Sequence, residues 1–307
     1  MGQNQRFGGS SAIGCMGGRS RPQTVGVSVR NVHGIAASDS EGPGPFAVRE
    51  TSDKARILPF LESDRLYAAY AIADLEPAMF AQCAWTAAER SGRVEALALH
   101  FRGLSPPALF VMGTTSGLRA VFDAGRYADG VYLTCRPEHL EVASAFFRWD
   151  QTVPMWRMAL HETGSLPKDL VSGPCVRLTP AHADSLSELY TLGDGGAAFS
   201  PTQMPDGVYY GVVVDDRPVA VAGTHVVSPT YGVAAVGNIF THPEHRCQGY
   251  ATAATAAVAA ELLERGVSDI VLNVAQDNDA AIHVYEKLGF RRHCPFFEGR
   301  AAPSPKN

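Results

Sequence analysis

The most regular pattern of hydrophobic and polar positions lies between residues 233 and 266. Val233–Thr241 is almost continuously apolar and is closed by the turn signal Thr-His-Pro-Glu, which predicts a buried strand. From Gly249 onward, a long segment rich in alanine, leucine and glutamate favours helix, and it stops at Arg265-Gly266. We therefore predict a strand, a tight polar turn and a helix that begins at the turn.

The first half of the chain alternates predicted strands and helices. A helical entry is followed by two strands around the hairpin signal Arg90-Ser-Gly-Arg93, and then by strand, helix, strand, helix and strand. The predicted segments are Leu58–Asp74, Cys83–Glu89, Val94–Phe101, Leu109–Met112, Leu118–Ala124, Val131–Cys135, Pro137–Phe146 and Val153–Leu160.

The second half repeats this order, which indicates a diverged internal duplication. It opens with a strand and with a helix that we expect Asp184 to cap, and a hairpin precedes the central strand. The segments around the central unit are Cys175–Pro180, Asp184–Leu192, Val208–Val214, Val219–Val227, Asp269–Val274, Asp279–Leu288 and Phe290–Phe297. Mixed strands with helices on both faces follow, an α/β (α+β) architecture.

Composition divides the chain into four regions. Residues 1–45 hold ten of the thirty glycines and no long apolar run, so we expect a disordered extension, with a transit peptide as the alternative because no acidic residue precedes Asp39. Residues 163–174 are rich in glycine, serine and proline and are the expected linker. A first domain is therefore predicted over 46–162 and a second over 175–307.

Charge and cysteine content limit the possible partners. The formal net charge of −5 argues against nucleic acid as the main partner, and the chain has no apolar run long enough for a membrane span. The six cysteines include no Cys-x-x-Cys pair, so we expect reduced thiols and a cytoplasmic protein. His242, His245 and Cys247 fall in one tight turn without a fourth ligand, so we expect no metal.

The turn before the long helix has the composition of an anion site. Its residues are Arg246, Cys247, Gln248, Gly249, Tyr250 and Ala251. The first amides of a helix that begins here would lack intrahelical partners, and the small residues would let a phosphate approach the backbone closely. The segment is therefore a predicted pyrophosphate cradle without a P-loop lysine.

The Arg-x-x-Gly-x-Ala spacing resembles the acetyl-CoA signature of the GNAT N-acetyltransferase superfamily. A second match follows at Asn278, Ala280, Tyr285 and Gly289-Phe290, in the order that is usual for the family. The departure is Cys247, where the family often has glycine. The resemblance implies a GNAT fold in the carboxy-terminal half, preceded by a diverged domain that lacks the spacing and should not bind the cofactor.

The resemblance also implies site residues and a direct acyl transfer from acetyl-CoA to an amine. Backbone groups of Ile239, Phe240 and Thr241 would pair with pantetheine, and the amides from Cys247 to Ala251 would hold the pyrophosphate. Asn278 would contact the pantetheine arm, and Tyr285 would protonate the departing thiolate. The base stays open because Asn238 stands where the family often has glutamate, and His225 is a candidate base or a packed core residue.

Three functions follow from these expectations. The first is an N-acetyltransferase that acts on a primary amine of a small molecule or peptide. The second is an amino-acid N-acyltransferase of the glycine N-acyltransferase type, which also joins two such halves. The third is a non-catalytic acyl-CoA-binding module. Neither the acceptor nor homodimer formation can be decided from these residues.

Overall fold

The computed structural model describes residues 44–125, 127, 130–161, 166, 174–193 and 199–305. The predicted extension and the predicted linker lie almost wholly outside the described residues. Strands of both halves join in one mixed sheet. They are β1 Ala47–Thr51, β2 Cys83–Arg90, β3 Arg93–Phe101, β4 Ala108–Gly113, β5 Val131–Cys135, β6 Phe147–Trp149, β7 Val153–His161, β8 Val176–Arg177, β9 Tyr210–Val214, β10 Arg217–Ser228, β11 Val233–Thr241, β12 Asp269–Ala275 and β13 Arg291–Pro303.

The helices lie between these strands in the predicted order, except that the short helix Pro77–Phe80 was not predicted. Among the described residues, no helix combines the length and the apolar character that crossing a bilayer requires. The helices are α1 Lys54–Leu61, α2 Ala69–Ala73, α3 Pro77–Phe80, α4 Thr115–Ala124, α5 Leu140–Phe146, α6 Ala183–Tyr190, α7 Tyr250–Glu264 and α8 Asp279–Lys287.

Two helix predictions were wrong in detail. The entry predicted as one helix over Leu58–Asp74 is broken after α1, where the Asp64 carboxylate accepts a hydrogen bond from the Tyr67 amide and so competes with helical pairing. Asp184 does not cap α6. Thr179 and His182 form a capping box around a preceding 3-10 turn, so Asp184 falls in the first turn of the helix.

The two halves exchange strands in the sheet. The strand order is β1-β2-β3-β4-β5-β13-β7-β12-β11-β10-β9-β8, so β7 of the first half lies between β13 and β12 of the second. β13 in turn pairs with both β5 and β7. The predicted boundary at 163–174 divides the sequence into two halves. In the structure, however, each half contributes a strand to the sheet of the other.

Helices cover both faces of the sheet around β11 and β12. Tyr67 and Ile72 from the α2 region share a core cluster with Ala235 and Val271 on one face, which we call the α2 face. On the opposite face, α7 and α8 pack on β11 and β12, and we call it the α7 face. Its core includes Ala234, Leu272, Ala254, Leu262, Ile282 and Tyr285. The first half therefore supplies one of the two layers that enclose the central strands of the second half.

We expect residues 174–305 expressed alone to be insoluble or without a cooperative unfolding transition. Without β7, the facing edges of β12 and β13 lose their ladder partner and expose unpaired backbone groups. Coexpressed residues 44–161 should restore solubility and copurify in equal amounts, as measured by size-exclusion chromatography. A soluble monomer of 174–305 that unfolds cooperatively would contradict the structural importance of the exchange.

Candidate active site

The parallel strands β11 and β12 separate halfway along their length. They pair from Val233 with Asp269 up to Val236 with Leu272, and there the ladder between them ends. Both strands continue, because β11 stays paired with β10 and β12 stays paired with β7. We call the opening beyond Val236 and Leu272 the fork. Its edges carry backbone groups that no strand of this ladder uses.

A β-bulge on β11 lies at the fork. Asn238 and Ile239 together oppose Ala222 on β10, and Asn238 has a φ of 51°. The Tyr190 hydroxyl donates to the Asn238 carbonyl at 2.6 Å, and the Asn238 side-chain amide donates to the Tyr209 hydroxyl at 3.0 Å. These buried hydrogen bonds stabilise a backbone conformation that is rare for a residue other than glycine.

A second bulge faces the first from β10. His225 is the extra residue there, and its ring packs against Gly237 so closely that a Cβ at Gly237 would lie 2.3 Å from it. The His225 Nδ1 atom lies 2.9 Å from the Tyr70 hydroxyl on α2. Burial lowers the pKa of His225 to about 4, so the imidazole is neutral at neutral pH. The histidine therefore lies on the α2 face, beside the fork.

The backbone directions along β11 refine the predicted pantetheine contacts. His242 donates its amide to the Val219 carbonyl on β10. Because alternate residues of an antiparallel strand point their backbone groups to opposite sides, Phe240 also faces β10, while Ile239 and Thr241 face the fork. The Phe240 ring packs beside Tyr190. Of the three predicted residues, two thus present backbone groups to the opening.

The predicted pyrophosphate cradle forms a tight loop at the amino terminus of α7. Cys247 and Gly249 both have positive φ, at 62° and 77°, and α7 begins at Tyr250 without a side-chain cap. The amides of its first turn, including that of the buried Ala251, therefore have no side-chain acceptor. Gln248 is exposed beside them. An anion at this position would receive several backbone N–H donors.

Two side chains of this loop have partners that the sequence did not predict. The Arg246 guanidinium turns back to donate to the Thr241 carbonyl at 3.4 Å, which ties the loop to the end of β11. Cys247 is disulfide-bonded, so the expectation of reduced thiols is wrong at this position. The thiols of Cys83, Cys135, Cys175 and Cys294 are free.

Asn278 and Tyr285 both lie on α8 or at its start. The Asn278 side chain caps the helix by accepting a hydrogen bond from the Ala281 amide at 3.1 Å. Tyr285 is 1% exposed on the α7 face, with its ring 6.2 Å from that of Phe290. Tyr285 is therefore a packed residue on the side of the sheet opposite His225. The pantetheine contact and the acid role stay predictions.

Sequence reasoning missed the polar residues on the α2 face near the fork. Arg157 on β7 is 2% exposed, and the Asn273 amide oxygen on β12 is buried without a hydrogen-bond partner. One signal was available in the sequence, because an arginine within the apolar run Val153–Leu160 is unusual for a buried strand. For the metal prediction, the described residues contain no group of three or more His, Cys, Asp or Glu side chains that could hold an ion.

Comparison with known proteins finds a family match within the second half of the chain. Residues 180–290 match the model of the acetyltransferase (GNAT) family. Acetyltransferase plu1384 of Photorhabdus laumondii is 47% identical over 53 residues, which cover 17% of this chain and 37% of that relative. The chain thus spans about a third of the length of the curated relatives it matches.

Two solved structures are similar over both halves. A GCN5-related N-acetyltransferase from Sphaerobacter thermophilus has a TM-score of 0.55 at 15% identity, covering 86% of this chain and 98% of its own. A tandem GNAT protein from the clavulanic acid biosynthesis pathway has a TM-score of 0.51 at 16% identity, covering 85% of this chain and 100% of its own. These likenesses confirm the predicted fold class.

We expect Gly249→Glu to weaken CoA binding roughly 10- to 100-fold. The new carboxylate would lie at the helix terminus where the amides should hold the pyrophosphate, and lost charged hydrogen bonds cost about 1.5–3 kcal/mol. Isothermal titration with CoA measures the effect.

Gly266→Glu is the matched control, since Gly266 has a φ of 80° and, like Gly249, open space around a new Cβ, but follows the opposite end of α7. Both variants carry the same left-handed backbone strain of about 1–2 kcal/mol. Equal losses of CoA affinity in the two variants would show that the effect comes from backbone strain. The predicted cradle would then not be part of the CoA site.

Proposed function

We propose that this chain, whose residues 180–290 belong to the GNAT acetyltransferase family, is an N-acetyltransferase that uses acetyl-CoA and a primary amine of a small molecule or peptide. The observation that carries the proposal is the fork between β11 and β12, which lies beside the uncapped amino terminus of α7. An open strand edge and an anion site in succession fit the two parts of CoA, its amide-bearing arm and its pyrophosphate.

The donor is held mainly by backbone groups in this proposal. The first-turn amides of α7, with those of the loop from Cys247, bind the pyrophosphate, and Arg246 fixes the loop to β11. Pantetheine lies along the fork and pairs with the backbone of Ile239 and Thr241 as an added strand. One of these amides donates to the thioester oxygen and stabilises the negative charge that develops there.

The reaction is a direct transfer of the acetyl group from the thioester to the amine. The neutral amine nitrogen attacks the thioester carbon, the C–N bond forms, and the C–S bond breaks. Tyr285 donates its hydroxyl proton to the departing thiolate, which a phenol with a reference pKa of about 10 can do at neutral pH. The surplus proton of the attacking nitrogen passes to solvent, and solvent returns a proton to the Tyr285 phenolate. With a pKa of about 4, His225 is a poor base for the ammonium form of the acceptor, so the amine must reach the fork already neutral.

Release of CoA from acetyl-CoA in the presence of a panel of primary amines, with mass detection of the acetylated product, tests the function. Transfer to at least one amine supports an N-acetyltransferase. Tight CoA binding without transfer to any amine would favour the non-catalytic acyl-CoA-binding module. Faster transfer from benzoyl-CoA than from acetyl-CoA would favour the glycine N-acyltransferase type.

We expect Tyr285→Phe to lower the single-turnover rate by roughly 100-fold or more, the usual scale for a positioned general acid. The phenyl ring keeps the packing against Phe290, so the CoA dissociation constant should change little. Tyr231→Phe is a control, since this half-buried hydroxyl has no hydrogen bond to the described residues. A Tyr285→Phe enzyme with the full rate would leave Tyr285 a packing residue.

A further inference from the structure

Arg157 is a buried cation that forms no direct ion pair with the described residues. Its side chain is 2% exposed, and its Nε and Nη1 atoms are buried with no hydrogen-bond partner. Within the described part of the chain it forms no ion pair either. Its guanidinium packs on the Tyr70 ring, at 4.9 Å from the ring centroid, and 5.4 Å from that of Phe296. The two rings fix the position of the charge but offer it no anion.

Such an arrangement is costly in the free protein. A desolvated charge loses much of its hydration energy, and cation–π contacts return only part of it. The candidate for an internal counterion is Glu298, whose carboxyl accepts a hydrogen bond from Tyr132 at 2.9 Å. Burial raises the pKa of Glu298, while the charge of Arg157 acts to lower it, so the two groups interact electrostatically. They form no direct ion pair, and the buried Nε and Nη1 donors of Arg157 are left for a bound anion.

Arg157 lies in line with the fork. Its Cα is the register partner of Asn273 on β12, and Gly237 on β11 continues the same row one residue past the last paired position. Register partners share a face, so all three positions lie on the α2 face. The three positions therefore form one row across the sheet, from β7 through β12 to the β11 edge of the fork.

We propose that Arg157 binds the carboxylate of the acceptor, so that the acceptor amine belongs to an amino acid. The carboxylate takes the unused guanidinium donors, the amino group lies toward the fork, and the buried Asn273 amide oxygen accepts one of its N–H groups. This inference rests on the proposed acetyl transfer and names its substrate class. It also accounts for a charge that the fold itself does not use.

A carboxylate could also arrive on the acyl group of the donor, as in succinyl-CoA. The placement of the key residues on opposite faces of the sheet favours the acceptor as the source of the carboxylate. Tyr285, the proposed proton donor to the CoA sulfur, lies on the α7 face, whereas Arg157 lies on the α2 face. The donor and the carboxylate therefore reach the fork from opposite sides.

The first test uses the unmodified full chain with acetyl-CoA and pairs of acceptors, each an amino acid and its carboxamide. We expect kcat/KM for the amino acid to exceed that for the carboxamide by roughly 100-fold, the scale of lost charged hydrogen bonds in a buried site. Equal values within each pair would overturn the inference but leave the acetyltransferase standing. No transfer to any amine would instead overturn the proposed function on which it rests.

The second test compares Arg157→Met with Glu298→Gln. The methionine fills similar space between the rings but carries no charge. In Arg157→Met, the ratio of kcat/KM for the amino acid to that for its carboxamide should therefore fall toward one, whereas Glu298→Gln should keep the ratio of the unmodified chain. Without ligand, Arg157→Met should unfold at the same temperature as the parent or higher, because an unpaired buried charge has been removed. A purely structural arginine would give a lower temperature and an unchanged preference.

A comparison of succinyl-CoA with acetyl-CoA as donors identifies the source of the carboxylate. A preference for succinyl-CoA over acetyl-CoA that disappears in Arg157→Met would assign the guanidinium to the acyl group and overturn the acceptor assignment. We expect the unmodified chain to use acetyl-CoA at least as well as succinyl-CoA. If Arg157→Met fails to fold, the acceptor pairs and the two donors measured on the unmodified chain decide the question.

Discussion

The separation of β11 from β12 after Val236 and Leu272 is the constraint on which the rest of the site depends. A parallel ladder that continued would use the backbone groups of both strands and leave nothing for a ligand. The bulge at Asn238 redirects β11 at this point, and the Tyr190 and Tyr209 hydroxyls stabilise it from the interior. The fork is therefore a packed feature of the free protein, which reduces the ordering cost of binding.

The strand exchange makes the first half part of the site. It lacks the Arg-x-x-Gly-x-Ala spacing, yet it supplies Tyr70 to one side of the fork and Arg157 to the strand beside β12. The second half supplies the bulge, the α7 amino terminus and Tyr285. Under the proposed function and the proposed carboxylate contact, one half would hold the donor and the other would recognise much of the acceptor.

Local patterns predicted the central unit well. Val233–Thr241 matches β11, and α7 begins and ends within a residue or two of the prediction, because a β-branched run, an alanine-rich segment and flanking glycines each act over a few neighbouring residues. The exchange of β7 and β13 was not predictable, since the pairing of distant strands leaves no local signal. For the same reason the sequence placed Arg157 in a strand but not beside Asn273.

The most direct measurement of the central claim is residue-resolved amide hydrogen exchange with and without acetyl-CoA. The amides of Ile239 and Thr241 should exchange more slowly in the complex, together with those of the first turn of α7. The Phe240 amide, which already faces β10, should change little. Unchanged exchange at Ile239 and Thr241 in a saturated complex would contradict the fork as the donor site.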